Sequence, residues 1–146
     1  MVEVMKKFLF CLFLTALSLQ ASDIWGTDYD AGLKLAAASN KPVLLEFTGS
    51  DWCPPCMKLT STVFEQPAFE EFAKKNLVLV KFDFPKKKEL PTELKAANDA
   101  MARQFKVSGF PTLILLSSSG KELARKVGYD NDTPESFIEW VNKNKK

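Results

Sequence analysis

Cys53-Pro54-Pro55-Cys56 carries the chemistry that can be read first from this chain. A thiol pair two residues apart can exchange electrons with another disulfide, or it can hold a soft metal ion. As a structural staple it does little, because so small a loop removes little entropy from the unfolded chain. The chain has no histidine, which excludes imidazole catalysis and His-containing zinc and copper sites. The third cysteine, Cys11, lies far away in an apolar run, so one chain cannot build a tetrahedral thiolate site around the pair. Redox exchange is therefore the favoured chemistry. The competing reading is a Cu(I)-binding thiol module, in which Met57 could add a thioether. That reading expects further Met or His near the pair, and Met57 is expected to pack inward.

Exchange requires one activated thiol and one resolving thiol. A helix beginning at Cys53 supplies both. Unpaired N–H groups and the dipole at its start favour a thiolate on Cys53. Cys56, one turn along, can attack a mixed disulfide formed on Cys53. Pro54 and Pro55 fit a first turn, where their missing N–H groups cost nothing.

The flanking pattern predicts the elements that position this turn. Asp28 to Ser39 reads as a helix with Leu33, Ala36 and Ala37 on one face, ended by Asn40-Lys41-Pro42. Val43 to Phe47 is a short apolar run, as in a strand buried on both sides. Thr48 to Trp52 is a loop. The cysteine helix is expected to run to about Phe64, with Pro67 breaking it and helix resuming over Ala68 to Lys75. Leu77 to Phe84 is a second strand, and the Lys86–Lys88 run with Pro91 a solvated connection. Thr92 to Phe105 is helix, Thr112 to Ser117 strand, and Glu122 to Val127 a hairpin partner across Ser118-Ser119-Gly120. A last helix begins at Thr133, with Trp140 on its apolar face. Phe64, Phe69, Phe72, Phe82 and Phe84 read as core. The plan is an α/β domain around a central mixed β-sheet flanked by helices.

Two further positions bear on the site. Glu46 interrupts an apolar strand, where a carboxylate is costly unless paired or protonated; the competing reading is that it caps an edge or faces solvent. Lys81, in the neighbouring strand, is its candidate partner. Trp52 is expected either to shield the cysteines and contact substrate or to pack in the core. Asp51 is either a solvated loop residue or a like charge that opposes a thiolate on Cys53.

The segment Phe47-Thr48-Gly49-Ser50-Asp51-Trp52-Cys53-Pro54-Pro55-Cys56 resembles the active-site segment of the thioredoxin superfamily. Val107-Ser108-Gly109-Phe110-Pro111-Thr112 resembles its cis-proline segment. The likeness covers residues 28–143 and is nearest to the small exported thioredoxin-like disulfide oxidoreductases. It implies the thioredoxin fold, a cis Phe110–Pro111 bond with Pro111 against the cysteines, and substrate pairing with the Phe110 backbone as an added strand. It also implies that Glu46 is the buried acid beneath the second cysteine, moving the proton of Cys56. The Pro-Pro dipeptide departs from thioredoxin's Gly-Pro, and no long helical insertion of the oxidase branch separates the two motifs.

Residues 1–21 read as a secretory signal: Lys6 and Lys7, an apolar stretch from Phe8 to Leu19, and a small residue at Ala21. That stretch is about 12 residues, short of the ~18–20 that span a bilayer. Residues 22–146 form the thioredoxin-like domain, and Cys11 leaves with the signal. The expected setting is the periplasm, with no stable membrane anchor after cleavage. The 146 residues suffice for one domain with its own core, and a net charge of +2 gives no case for nucleic acid. The expected activity is reduction of disulfides in exported proteins by a monomer without a cofactor, re-reduced by a membrane or soluble electron donor. Disulfide oxidation or isomerisation is the alternative direction.

Overall fold

The structure, a computed structural model, describes residues 23–146. The signal expected over residues 1–21 lies outside the described residues. A two-residue strand, β1 (Trp25–Gly26), precedes helix α1 (Tyr29–Ser39). Asp28 caps α1 by accepting the Ala31 N–H at 2.9 Å, and Asn40 ends it in the left-handed region at φ 52°. Strand β2 (Val43–Thr48), helix α2 (Pro54–Leu59) and a π-helical turn (Thr60–Phe64) follow. Then come α3 (Pro67–Asn76), β3 (Val78–Asp83), α4 (Thr92–Gln104), β4 (Thr112–Leu116), β5 (Glu122–Val127) and α5 (Pro134–Asn144).

The five strands form one mixed sheet in the order β1-β3-β2-β4-β5. Strands β1, β3 and β2 are parallel, β4 runs antiparallel to β2, and β5 closes a hairpin on β4. Strand β2 is therefore central, and all six of its residues are buried. Its side chains alternate between two cores. Val43, Leu45 and Phe47 pack with Ala36, Val80, Phe82 and Ile114, and Phe47 stacks on Phe82 at 4.8 Å between ring centroids. Leu44 packs on the opposite face with Leu59, Val63, Phe69, Leu113 and Phe137, which belong to α2, the π turn, α3, β4 and α5.

Several expectations need correction. Ala37 is exposed; Gly32, Leu33 and Ala36 form the inward face of α1. Gly32 is required there, because a Cβ would lie 2.5 Å from Val80 Cγ2. The helix expected to reach Phe64 is regular only to Leu59. The Ser61 and Thr62 hydroxyls both donate to the Lys58 carbonyl, at 3.0 and 2.9 Å, and compete with the next regular backbone bond. The Glu65 N–H then reaches the Thr60 carbonyl, five residues back. Met57 does not pack inward. It is 44 % exposed, because Cys56 and Leu59 take the buried face of α2.

Candidate active site

Strand β2 ends at Thr48, and residues 49–52 carry the chain to the start of α2. A tight turn forms there, with the Cys53 N–H donating to the Gly49 carbonyl at 2.9 Å. Cys53 is the N-cap residue, and Pro54 and Pro55 fill the first turn. The Met57 N–H closes that turn on the Cys53 carbonyl at 3.0 Å. Cys53 and Cys56 are joined as a disulfide, with Cα atoms 5.2 Å apart. Cys53 is 3 % exposed and Cys56 is fully buried, so the bond is approached from the Cys53 side.

The Phe110–Pro111 bond is cis, immediately before β4. The Phe110 carbonyl oxygen lies 3.7 Å from Cys53 Sγ. Thr112 fixes the turn by donating its hydroxyl to the Gly109 carbonyl at 2.7 Å, and the Gly128 N–H donates to the Pro111 carbonyl at 2.8 Å. The proline segment and the cysteine turn, distant in sequence, therefore meet at one end of β2 and β4.

Trp52 is half-buried and belongs to the wall of the site. Its indole N–H donates to the Phe84 carbonyl at 2.7 Å, and its ring meets Phe110 edge-on at 6.1 Å. Phe84 stacks on Phe110 at 5.0 Å, and the Lys86 ammonium sits 3.7 Å above the Trp52 ring. Gly49 makes room for this wall, since a Cβ there would lie 2.5 Å from the indole. Phe84, expected in the core from its spacing, packs partly buried against that core and also contributes to this aromatic surface.

Asp51 is a solvated loop residue, as expected, and it also ties down a neighbouring loop. Its carboxylate accepts the backbone N–H groups of Lys86, Lys87 and Lys88 at 2.9, 2.8 and 3.1 Å. Those bonds, led by that from Lys86, hold its pKa below the usual carboxylate value. The Lys86–Lys88 run is exposed, as a solvated connection should be, and its backbone wraps the Asp51 carboxylate. Ser50 adds a second tie, with its N–H and hydroxyl donating to Asp83 at 3.0 and 2.6 Å.

Glu46 is fully buried on the sheet face that α2 covers, where neither carboxylate oxygen has a hydrogen-bond partner. Lys81, its register partner on β3, brings Nζ to 3.7 Å from Oε2. Burial raises the Glu46 pKa to about 7; Lys81 pulls it down, while Asp83 and Asp23 push it further up. At neutral pH this group can therefore both accept and release a proton. Among the described residues no cluster of three or more metal-ligating side chains occurs.

A disulfide-bonded cysteine pair that opens a helix, with a cis proline segment beside it and a buried acid on the covered sheet face, fits a thiol–disulfide oxidoreductase on a thioredoxin fold. Residues 29–145 match the thioredoxin-like domain family, and the chain belongs to that family. It is 34 % identical over 121 residues to the disulfide bond reductase DsbH of Chlamydia pneumoniae, covering 83 % of this chain and 72 % of that protein. It is 32 % identical over 112 residues to the thioredoxin-related protein DsbJ of the same organism, covering 77 % of this chain but only 32 % of that one. A solved DsbH oxidoreductase structure superposes with a TM-score of 0.76 at 33 % identity, covering 82 % of each chain. The chain is accordingly a thioredoxin-like oxidoreductase of the group that contains DsbH and DsbJ.

Proposed function

We propose that this protein is an exported reductase of protein disulfides, with Cys53 as nucleophile and Cys56 as resolving thiol. The observation that carries the direction is the surroundings of Cys53. Pro54 and Pro55 remove two N–H groups from the turn that would stabilise a thiolate, and no histidine is available. The polar group against Cys53 Sγ is the Phe110 carbonyl, an acceptor that suits a thiol or disulfide sulfur better than an anion. A modestly stabilised thiolate makes the dithiol a good electron donor. The name of the relative DsbH, a disulfide bond reductase, agrees with this direction.

In the reaction, the Cys53 thiolate attacks one sulfur of a substrate disulfide and the other sulfur leaves as a thiolate. The Cys56 thiol passes its proton to the Glu46 carboxylate. The resulting Cys56 thiolate attacks Cys53 Sγ, closes the Cys53–Cys56 disulfide and releases the second substrate thiol. Two electrons pass to the substrate, and a separate dithiol donor restores the pair. Phe110 and Pro111 offer backbone for an extended substrate strand, and Trp52 with Phe84 forms its apolar neighbour. The signal read over residues 1–21 supports an exchange outside the cytoplasm, on exported proteins.

Trapping tests the assignment. Cys56→Ser should accumulate mixed disulfides with reduced-and-reoxidised insulin, whereas Cys53→Ser should form none. Equal trapping by both variants would overturn the order of attack.

A further inference from the structure

The lysines of the Lys86–Lys88 run are all exposed, but their charges are not equally engaged. Lys88 is paired with Asp83 at 3.2 Å, and Asp83 is also held by Ser50. Lys86 has no ion-pair partner among the described residues. Its ammonium instead sits 3.7 Å above the Trp52 ring, well inside the ~6 Å reach of a cation–π contact.

That position is built by ties on both sides. The Lys86 N–H donates to the carboxylate of Asp51, the residue before Trp52, at 2.9 Å. The Trp52 indole N–H donates to the carbonyl of Phe84, two residues before Lys86, at 2.7 Å. The lysine stem therefore starts beside the ring that its ammonium covers. An exposed lysine ordinarily loses rotamer freedom when it meets a partner. Here much of that ordering is already present in the folded protein, so a carboxylate would meet a pre-placed charge. The ring takes up the ammonium through its face, which leaves N–H groups on the other side to donate to an acceptor.

The charge also lies along the path of an extended substrate. Trp52 directly precedes Cys53, and its ring meets Phe110 edge-on at 6.1 Å. Lys86 Nζ is therefore within about 10 Å of the Phe110 ring, a span that two or three residues of extended chain cover at ~3.3 Å each. Glu89, Lys95 and Asp99 line the adjoining hollow, and neither acid forms an ion pair with Lys86.

We propose that Lys86, held on Trp52, is a specificity-determining residue that selects substrate disulfides flanked by acidic side chains. This rests on the reading of the protein as a reductase of protein disulfides that pairs substrate with the Phe110 backbone. A strand so paired brings a Glu or Asp two or three residues from its attacked cysteine to the Lys86 ammonium. A Lys at the same place meets a like charge.

The test uses three synthetic peptide disulfides that differ only in the residues flanking the cysteine, which are Glu, Gln or Lys. The readout is the second-order rate constant for reduction by the pre-reduced protein, divided by that for dithiothreitol to remove each peptide's own reactivity. At about 20 mM salt the wild type should prefer the Glu peptide about threefold over Gln and about tenfold over Lys. At about 0.5 M salt, where screening shortens to about 4 Å, both preferences should fall below about twofold. Lys86→Gln should flatten the series and Lys86→Glu should invert it. Lys121→Gln, an exposed lysine in the β4–β5 turn, should keep the wild-type order. Equal rates on the three peptides with the wild type would overturn the proposal, as would an unchanged order in Lys86→Glu. If Lys86→Gln slows all three peptides equally and moves the glutathione equilibrium, Lys86 acts on the Cys53 thiolate and the proposal fails. If the reduced wild type reduces none of the peptides, the reductase reading itself fails, and the proposal with it.

Discussion

Glu46→Gln should stabilise the oxidised protein, and by an amount that grows with pH. Burial raises the folded-state pKa of Glu46 from 4.5 to about 7. The folded state therefore holds this proton more tightly than the unfolded chain does. Below about pH 4.5 both states carry it and no penalty arises. As pH rises from 4.5 towards 7 the unfolded state loses the proton first, so the stability of the wild-type protein falls across that window. Above pH 7 the carboxylate is charged in both states, and the full penalty is present. At ~1.4 kcal/mol per pKa unit, the shift corresponds to a loss of about 3 kcal/mol. Gln has the size of Glu and no charge, so it escapes this penalty. Urea unfolding of both proteins at pH 4.5 and pH 8.5 measures the difference. With m near 1–3 kcal/mol/M, the variant's midpoint should exceed that of the wild type at pH 8.5 by about 1–3 M more than at pH 4.5. Equal pH dependence of the two midpoints would show that Lys81 compensates the buried charge fully, and that Glu46 is an ordinary ionised carboxylate at neutral pH.

Two further outcomes follow from the loop and the leader. Asp51→Ala should release the Lys86, Lys87 and Lys88 amides, seen as at least tenfold faster hydrogen exchange at those three positions and altered Trp52 fluorescence; unchanged exchange would mean that the loop is held without the carboxylate. Protein recovered from an exported fraction should have lost about the first twenty residues by intact mass, and a full-length chain there would contradict cleavage.

The parts of the site that were legible in the sequence are those whose residue type has few other uses. A Cys pair two residues apart, a Phe-Pro just before an apolar strand, and a Glu inside a run of Leu and Phe each violate local expectation in a way that chemistry explains. The strands β2 and β4 were legible because nearly continuous apolar runs of that length belong to a central sheet. What escaped depended on contacts distant in sequence. Asp51 binds amides 35 to 37 positions away, so no local pattern revealed that it wraps the lysine loop. Phe84 has ordinary strand spacing, and only the approach of Phe110 makes it part of the site wall. The strand β1 has two residues and no periodicity to detect. The π turn hinges on hydroxyls of Ser61 and Thr62 that look, in sequence, like ordinary helix positions. Thr48 stands where the sequence predicts the start of a loop, and its place as the last residue of β2 depends on the register against β3.

The direction of electron flow is most directly tested by the redox equilibrium of the Cys53–Cys56 pair with glutathione. Equilibrating the protein across a range of reduced-to-oxidised glutathione ratios, and quantifying the dithiol by alkylation and mass, gives the standard potential. A reductase with a weakly stabilised Cys53 thiolate should lie near the thioredoxin value of about −270 mV. A potential close to about −120 mV, at the strongly oxidising end of the same fold, would contradict the account: the Cys53 thiolate would then be well stabilised, and the protein would introduce disulfides rather than remove them.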